Sequence, residues 1–169
     1  MSYIRYKNNN LFVESVSVRR LISKFKTPFY LYSESNIIEN YKSFLNNFKK
    51  SKPLICFSVK ANSNIQILKV LKKMGSGADV VSGGELLKAI KSGIQPNKIV
   101  FSGVGKTEEE IRLAIKRNIL LINVESENEA ILINKIAGSL KKKVAIGVRL
   151  NPDINAATHK KISTGKAED

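Results

Sequence analysis

The stretch Leu54-Ile55-Cys56-Phe57-Ser58-Val59-Lys60 sets the organisation of the chain around it. Its apolar residues follow Pro53 directly, and a run of this kind predicts a buried strand over residues 54–59. Lys60 then stands at the carboxyl end of that strand. Lysines are rarely buried without a partner, and burial favours the neutral amine, which can form a Schiff base with an aldehyde or ketone. A plainer explanation stays open, in which Lys60 begins a loop and points into water.

Strand and helix patterns alternate along the rest of the chain. Predicted strands cover residues 54–59, 78–81, 99–101, 119–124 and 144–150. Helical patterns follow the first four strands, over residues 65–74, 86–90, 111–115 and 131–136. The regular spacing of the strands is that of a βα unit, which indicates a parallel sheet. The strands read as apolar on both faces, as expected for a parallel sheet covered on both sides.

Start signals support these helices. Three helices begin with the capping-box pattern S/T-x-x-E, in Ser82 to Glu85, Thr107 to Glu110 and Ser126 to Glu129. An earlier apolar stripe from Ile37 to Phe48 predicts another helix, with Ser33 or Ser35 as its cap. Residues 1–32 contain a strand candidate at residues 11–13 and a helix candidate over residues 18–25.

Parallel βα repeats leave two architectures, an open doubly wound sheet or an eight-stranded barrel. Both place ligands at the carboxyl ends of the strands, so the residues there are the candidates for function. They are Lys60, Asp79, Ser102, Gly103, Asn123, Glu125, Arg149 and Asn151. A phosphate-binding P-loop is not among the candidates. Gly105-Lys106-Thr107 has its ending, but Val100 stands where the first glycine is needed, and Thr107 is explained as a helix cap.

The formal net charge of +15 raises the question of nucleic-acid binding. The lysines are scattered, and the one dense run, Lys141 to Lys143, has no interleaved aromatic residues to stack on bases. We therefore expect no nucleic-acid partner, with a basic binding module kept as an alternative. No apolar run has membrane-spanning length, the start of the chain lacks a signal-peptide pattern, and Cys56 is the only cysteine. These features favour a cytoplasmic protein without a membrane partner.

Motifs at the strand ends resemble the fold-type III decarboxylases that use pyridoxal phosphate, a family built on an alanine-racemase-like (β/α)₈ barrel of the TIM type. The motifs are Phe57 to Asn64, Gly77 to Leu86 and Val148 to Pro152, and Thr27 to Tyr32 is similar to the start of the family's barrel. Asn151 to Gly165 resembles one branch in particular, the diaminopimelate decarboxylases. The resemblance implies an α/β fold in which residues 33–169 form about five of the eight strands. Residues 1–32 would pack near a C-terminal β domain.

The resemblance also implies a chemistry. Lys60 would hold pyridoxal phosphate, and the cofactor would accept the electrons left when meso-diaminopimelate loses carbon dioxide to give L-lysine. Asp79, Glu85 and Arg149 resemble the family's cofactor-binding residues. Helix capping also explains Glu85, and a charge that simply reaches solvent at the strand end explains Arg149. His159, the only histidine, has no implied catalytic role, and no metal is implied.

A full barrel of this type needs about 250 residues, so we expect this chain to be the N-terminal portion of an enzyme, either truncated or encoded by a split gene. Alone, it would bind the cofactor weakly, lack decarboxylase activity and associate through its open sheet edges. The resemblance implies a homodimer when full length. A related fold-type III protein remains an alternative, such as another basic amino-acid decarboxylase, a racemase-like enzyme or a cofactor carrier.

Overall fold

The computed structural model describes residues 3–48 and 51–150. The motif from Asn151 to Gly165, which includes His159, lies outside these residues, so what was inferred from it stays a prediction. Among the helices of the described part, none combines the length and apolar character needed to cross a bilayer. The strands form two sheets, a small antiparallel one and a larger parallel one.

The small sheet occupies the start of the chain. Its strands are β1 (Ile4–Lys7), β2 (Asn10–Val13) and β3 (Val16–Ser17), paired in that order, and α1 (Val18–Ile22) follows directly. The sequence predicted β2 and α1, although α1 ends before Phe25. It did not predict β1 or β3, because β1 is exposed along its whole length and β3 has only 2 residues. Neither strand therefore carries a burial pattern that could be read.

The parallel sheet confirms the predicted βα repeat. Its strands are β4 (Cys56–Ser58), β5 (Gly77–Val80), β6 (Ile99–Phe101), β7 (Leu121–Val124) and β8 (Ile146–Val148). The helices are α2 (Glu34–Asn46), α3 (Ile65–Lys73), α4 (Gly83–Lys91), α5 (Glu108–Arg117) and α6 (Glu127–Ser139). Short 3₁₀ turns cover Val59–Ala61 and Pro96–Lys98. Most of the strands are shorter than the sequence predicted, since their apolar runs extend beyond the residues that pair in the sheet.

The strand order decides between the two architectures. The order is β4-β5-β6-β7-β8, every neighbouring pair is parallel, and each helix from α2 to α6 packs on the next. A doubly wound sheet needs a point at which the strand order reverses, and these five strands have none. The sheet is therefore an arc of a (β/α) barrel, as the sequence predicted.

The hydrophobic core lies between this sheet and its helices. Ala78 and Val80 of β5 are fully buried in it, together with Phe101 at the end of β6. Asp79 lies between Ala78 and Val80 and is only half-buried, so its side chain points to the opposite face. The prediction that the strands are apolar on both faces is therefore wrong. One face packs against helices, and the other, the inner face of the arc, carries polar side chains.

The helix caps confirm the predicted starts but not all of their geometry. Ser33, rather than Ser35, caps α2 by accepting a hydrogen bond from the backbone N–H of Asn36. Thr107 and Glu110 form the reciprocal capping box that the sequence predicts. Ser82 and Ser126 also cap their helices, but Glu85 and Glu129 do not complete the box. Their carboxylates instead accept from the backbone N–H one residue before the cap, at Val81 (2.9 Å) and Glu125 (2.8 Å).

Glu110 joins the starts of two helices, and its contribution to stability should depend on pH. Its carboxylate accepts from the backbone N–H of Gly83 (2.7 Å) and of Thr107 (3.0 Å). These hydrogen bonds, that from Gly83 first, lower the pKa of Glu110 below its ordinary value of 4.5. A carboxyl with a lowered pKa stabilises the folded state above its unfolded pKa, and that stabilisation is lost as the pH falls through the folded pKa.

We therefore expect Glu110→Gln to lower the free energy of unfolding at pH 7 by about 1 kcal/mol, the usual effect of losing a helix cap. The difference from wild type should shrink as the pH falls below 4.5, the ordinary pKa of the carboxyl. Urea titrations between pH 7 and pH 3 measure it. Glu109→Gln is the matched control, because Glu109 is an exposed carboxylate in the same first turn. A constant difference across this pH range would contradict the role of the Glu110 charge.

Candidate functional site

Four side chains form a row of hydrogen bonds near the carboxyl ends of neighbouring strands. Asp79 on β5 accepts from the hydroxyl of Ser58 (3.3 Å) on one oxygen and from that of Ser102 (2.6 Å) on the other. Asn123 on β7 donates to the hydroxyl of Ser102 (3.0 Å). We call Ser58, Asp79, Ser102 and Asn123 the polar row. Because both oxygens of Asp79 are held, its orientation is set, and its remaining lone pairs can accept from a further donor.

Two glycines allow the strands to pack closely beside the polar row. A Cβ at Gly77 would lie 2.2 Å from the carbonyl oxygen of Lys98 and 2.8 Å from the sulfur of Cys56. A Cβ at Gly147 would lie 2.5 Å from the side-chain oxygen of Asn123. Any larger residue at Gly147 would therefore push Asn123 out of its place in the row.

Cys56 lies on the inner face and does not have the character of a nucleophile. Its apolar neighbours in the sequence predicted a buried residue, but Cys56 is only half-buried. Burial, and to a smaller extent the charge of Asp79, raise the pKa of the Cys56 thiol. A raised pKa keeps the sulfur protonated, and the protonated thiol is the unreactive form.

Lys60 lies in the 3₁₀ turn Val59–Ala61, directly after β4 and two residues beyond Ser58. Lys60 is exposed, while the neighbouring Val59 is fully buried and anchors the turn to the core. The hypothesis that Lys60 is buried is therefore wrong. Its surroundings fit the alternative, in which Lys60 begins a loop and points into water. The consequence for chemistry is favourable, because an exposed primary amine at the carboxyl edge of the sheet is accessible to a ligand.

Glu85 is held in the first turn of α4. One carboxylate oxygen accepts from the N–H of Val81 (2.9 Å), and the N–H of Glu85 donates to the hydroxyl of Ser82 (3.2 Å). These contacts tie the start of α4 to the end of β5. Helix capping, in this modified form, accounts for the position of Glu85.

Arg149 follows β8 and is not simply solvated. Its guanidinium lies 3.2 Å from a carboxylate oxygen of Glu125, whose side chain is only 11% exposed against 50% for Arg149. The other oxygen of Glu125 accepts from the N–H of Gly103 (3.2 Å). Gly103 follows Ser102 of the polar row directly. All four predicted site residues therefore lie at the carboxyl edge, where the Ser102-Gly103 step links Asp79 to Arg149.

Sequence reasoning missed two contributors to this edge. Ser58 hydrogen-bonds Asp79, and the signal for it was its position at the carboxyl end of the predicted strand, two residues before the predicted ligand lysine. Lys106 lies in the loop after β6, and its side chain is buried, with only 1% exposed. No local pattern distinguishes it from a solvated lysine, because two of its three acceptors, Asn123 and Glu129, come from distant parts of the chain.

Comparison with known proteins identifies the family to which the chain is similar. Residues 34–169 match the family model described as the pyridoxal-binding domain of pyridoxal-dependent decarboxylases. The diaminopimelate decarboxylase of Aquifex aeolicus is 47% identical over 96% of this chain and 38% of its own length. That of Helicobacter pylori strain J99 is 52% identical over 88% of this chain and 37% of its own length.

A solved structure shows the same fold. The crystal structure of Helicobacter pylori diaminopimelate decarboxylase complexed with L-lysine superposes with a TM-score of 0.87 at 49% identity, over 90% of this chain and 39% of that one. The chain thus spans less than half the length of the relatives it matches, and it corresponds to their N-terminal portion. From the family match over residues 34–169, the barrel arc and the strand-end lysine motif, the chain belongs to the pyridoxal-dependent decarboxylases.

Proposed function

We propose that the protein carrying this chain is a pyridoxal-phosphate-dependent carboxy-lyase that converts meso-diaminopimelate to L-lysine and carbon dioxide, the last step of lysine biosynthesis. The observation that carries the proposal is the exposed Lys60 at the carboxyl edge, directly after the strand that neighbours the Asp79 carboxylate, which two serines hold in place. The names of relatives at 47% and 52% identity support this substrate. They favour it over a racemase-like protein or a basic nucleic-acid-binding module.

The residues at this edge fit pyridoxal phosphate chemically. Lys60 offers a primary amine, the group that condenses with the cofactor's aldehyde. Asp79 offers a fixed carboxylate, which favours the protonated form of a pyridine nitrogen placed against it. Arg149 offers a half-exposed cation for the anionic groups of cofactor or substrate. When bound, the cofactor supplies an electron sink for the pair that the departing carbon dioxide leaves behind.

Each residue then has a defined part in the proposal. Lys60 holds the cofactor covalently and is the catalytic residue of this chain. Asp79 stabilises positive charge at the ring, and the polar row orients its carboxylate before the cofactor arrives, so that little reorganisation is needed. Glu85 and Arg149 complete the predicted cofactor-binding set. Because Glu85 is engaged with Val81, its part is to hold the end of β5 and the start of α4 together beside the ring.

The assembly and location of the protein are also proposals. We propose that the full-length protein is a homodimer in the cytoplasm, with no membrane or nucleic-acid partner. We further propose that residues 1–32 pack near a C-terminal β domain, while residues 33–169 belong to the barrel. The antiparallel pairing of β1 to β3 supports this division, because it sets the start of the chain apart from the parallel sheet.

The test is turnover by the purified full-length protein that carries this chain, supplied with pyridoxal phosphate. We expect carbon dioxide release from meso-diaminopimelate in amounts equal to the L-lysine formed, with turnover at the usual enzymatic scale of about 1–10³ s⁻¹. L-ornithine and L-arginine are the matched competitor substrates, since they present an amino acid to the same cofactor without the second carboxylate. Preferred turnover of either competitor would overturn the substrate assignment. Formation of LL- or DD-diaminopimelate without carbon dioxide would overturn decarboxylation itself.

A further inference from the structure

We propose that Lys106 is a positioning residue that fixes the loop after β6 and, through it, Glu125 and Arg149 at the carboxyl edge. This inference rests on the proposed function, because Arg149 matters to the edge only as part of a cofactor site. Lys106 itself lies in this loop, two residues before α5 begins, and belongs to none of the predicted site residues.

The ammonium group of Lys106 has three acceptors from three different elements. It donates to the carbonyl of Gly103 (2.7 Å) in the loop, to the carbonyl of Asn123 (2.6 Å) in β7 and to the carboxylate of Glu129 (2.9 Å) in α6. An ammonium has three donors, so its capacity is filled. The ring of Phe101 also lies below the charge, at 6.0 Å from its centroid. A lysine that is 1% exposed is stable only with such complete pairing, which marks this as a specific contact.

The contact to Asn123 compensates for the early end of β6. On either side of Asn123 in β7, the N–H of Ile122 and the carbonyl of Val124 form hydrogen bonds on the side of β8. Alternation along the strand therefore turns the carbonyl of Asn123 toward β6, but β6 pairs with β7 only as far as Phe101 and Ile122. The ammonium of Lys106 thus occupies the place of the backbone donor that a longer β6 would provide.

From there the network continues to Arg149. Glu129 uses its second oxygen to accept from the N–H of Glu125 (2.8 Å). Glu125 in turn accepts from the N–H of Gly103 (3.2 Å) and pairs with Arg149 (3.2 Å). Gly103 is therefore held on both sides, by Lys106 at its carbonyl and by Glu125 at its N–H, in a conformation with φ of +103° that favours glycine. Removing Lys106 frees the loop and the carboxylate that orients Arg149.

The experiment uses Lys106→Met, which keeps the length of the side chain and removes its donors. We expect the dissociation constant for pyridoxal phosphate, measured by titrating the apoprotein, to rise about tenfold, a typical coupling within one hydrogen-bond network. Hydrogen exchange at the amides of Gly103 and Glu125 should accelerate. The fraction of cofactor attached to Lys60 at saturation should stay unchanged. Lys98→Met is the matched control, because Lys98 precedes the opposite end of the same strand.

A double-mutant cycle with Arg149→Met separates positioning from a general loss of stability. If Lys106 acts through Arg149, the double variant should bind the cofactor no more weakly than Arg149→Met alone. Additive losses, or an unchanged dissociation constant in Lys106→Met, would overturn the inference. If Lys106→Met fails to fold because Glu129 is left unpaired, Lys106→Met with Glu129→Gln removes both charges and is read by the same criteria. Failure of the wild-type protein to bind pyridoxal phosphate at all would instead refute the proposed function.

Discussion

Replacement of Lys60 by alanine is expected to abolish covalent attachment of pyridoxal phosphate and to leave the free energy of unfolding nearly unchanged. The expected loss is complete, because the proposed attachment needs a primary amine at this position. Stability should be preserved because Lys60 is exposed, and the buried residue of its turn is Val59. Borohydride reduction followed by peptide mass mapping should find the adduct on Lys60 in the wild-type protein and no adduct in the variant.

Lys88→Ala is the matched control for this experiment. Lys88 is another exposed lysine of the same region, and its ammonium bonds to the hydroxyl of Ser63 (2.8 Å), three residues after Lys60. The control should retain the adduct on Lys60 in full. An adduct that maps to a different lysine in the wild-type protein would overturn the assignment of Lys60. Loss of the adduct in both variants would indicate that the surrounding loop, rather than the amine, is required.

The βα organisation was predictable because its signals are local. A helix cap such as Thr107 with Glu110 is recognised from four consecutive residues. An apolar run likewise indicates a strand without reference to distant residues. Strand ends were less predictable. The run over residues 144–150 forms a strand only at Ile146–Val148, because pairing with β7, rather than apolar character, decides where β8 begins and ends.

The candidate site was predictable in position but not in its contacts. That Lys60, Asp79 and Arg149 lie at one edge follows from parallel topology, since the carboxyl ends of all strands lie together. The hydrogen bonds of Ser102 and the burial of Lys106 depend on partners about twenty residues away, and local sequence carries no information on them. The error about apolar strands has the same origin. Asp79 alternates with buried residues, but only the curvature of the sheet shows that the second face is left without helices.

The charge of Asp79 should matter more than its shape. Asp79→Asn is expected to lower the turnover of meso-diaminopimelate about 10²- to 10³-fold, the usual effect of removing one fixed electrostatic contact to developing charge. The asparagine can keep the polar row, because its oxygen can accept from Ser102 while its amide donates to Ser58. What it cannot do is balance a positive charge on the cofactor ring. Steady-state assays of carbon dioxide release, with saturating pyridoxal phosphate, measure the effect.

Ser58→Ala separates charge from orientation, and so completes the argument for Asp79. It removes the longer of the two hydrogen bonds to the carboxylate, 3.3 Å against 2.6 Å for Ser102, and leaves the charge in place. We expect it to lower turnover less than about tenfold, as for the loss of one hydrogen bond of about 1 kcal/mol. Equal losses in the two variants would mean that orientation alone matters. Wild-type turnover in Asp79→Asn would remove Asp79 from the cofactor site, since a carboxylate against the ring cannot be neutralised without consequence.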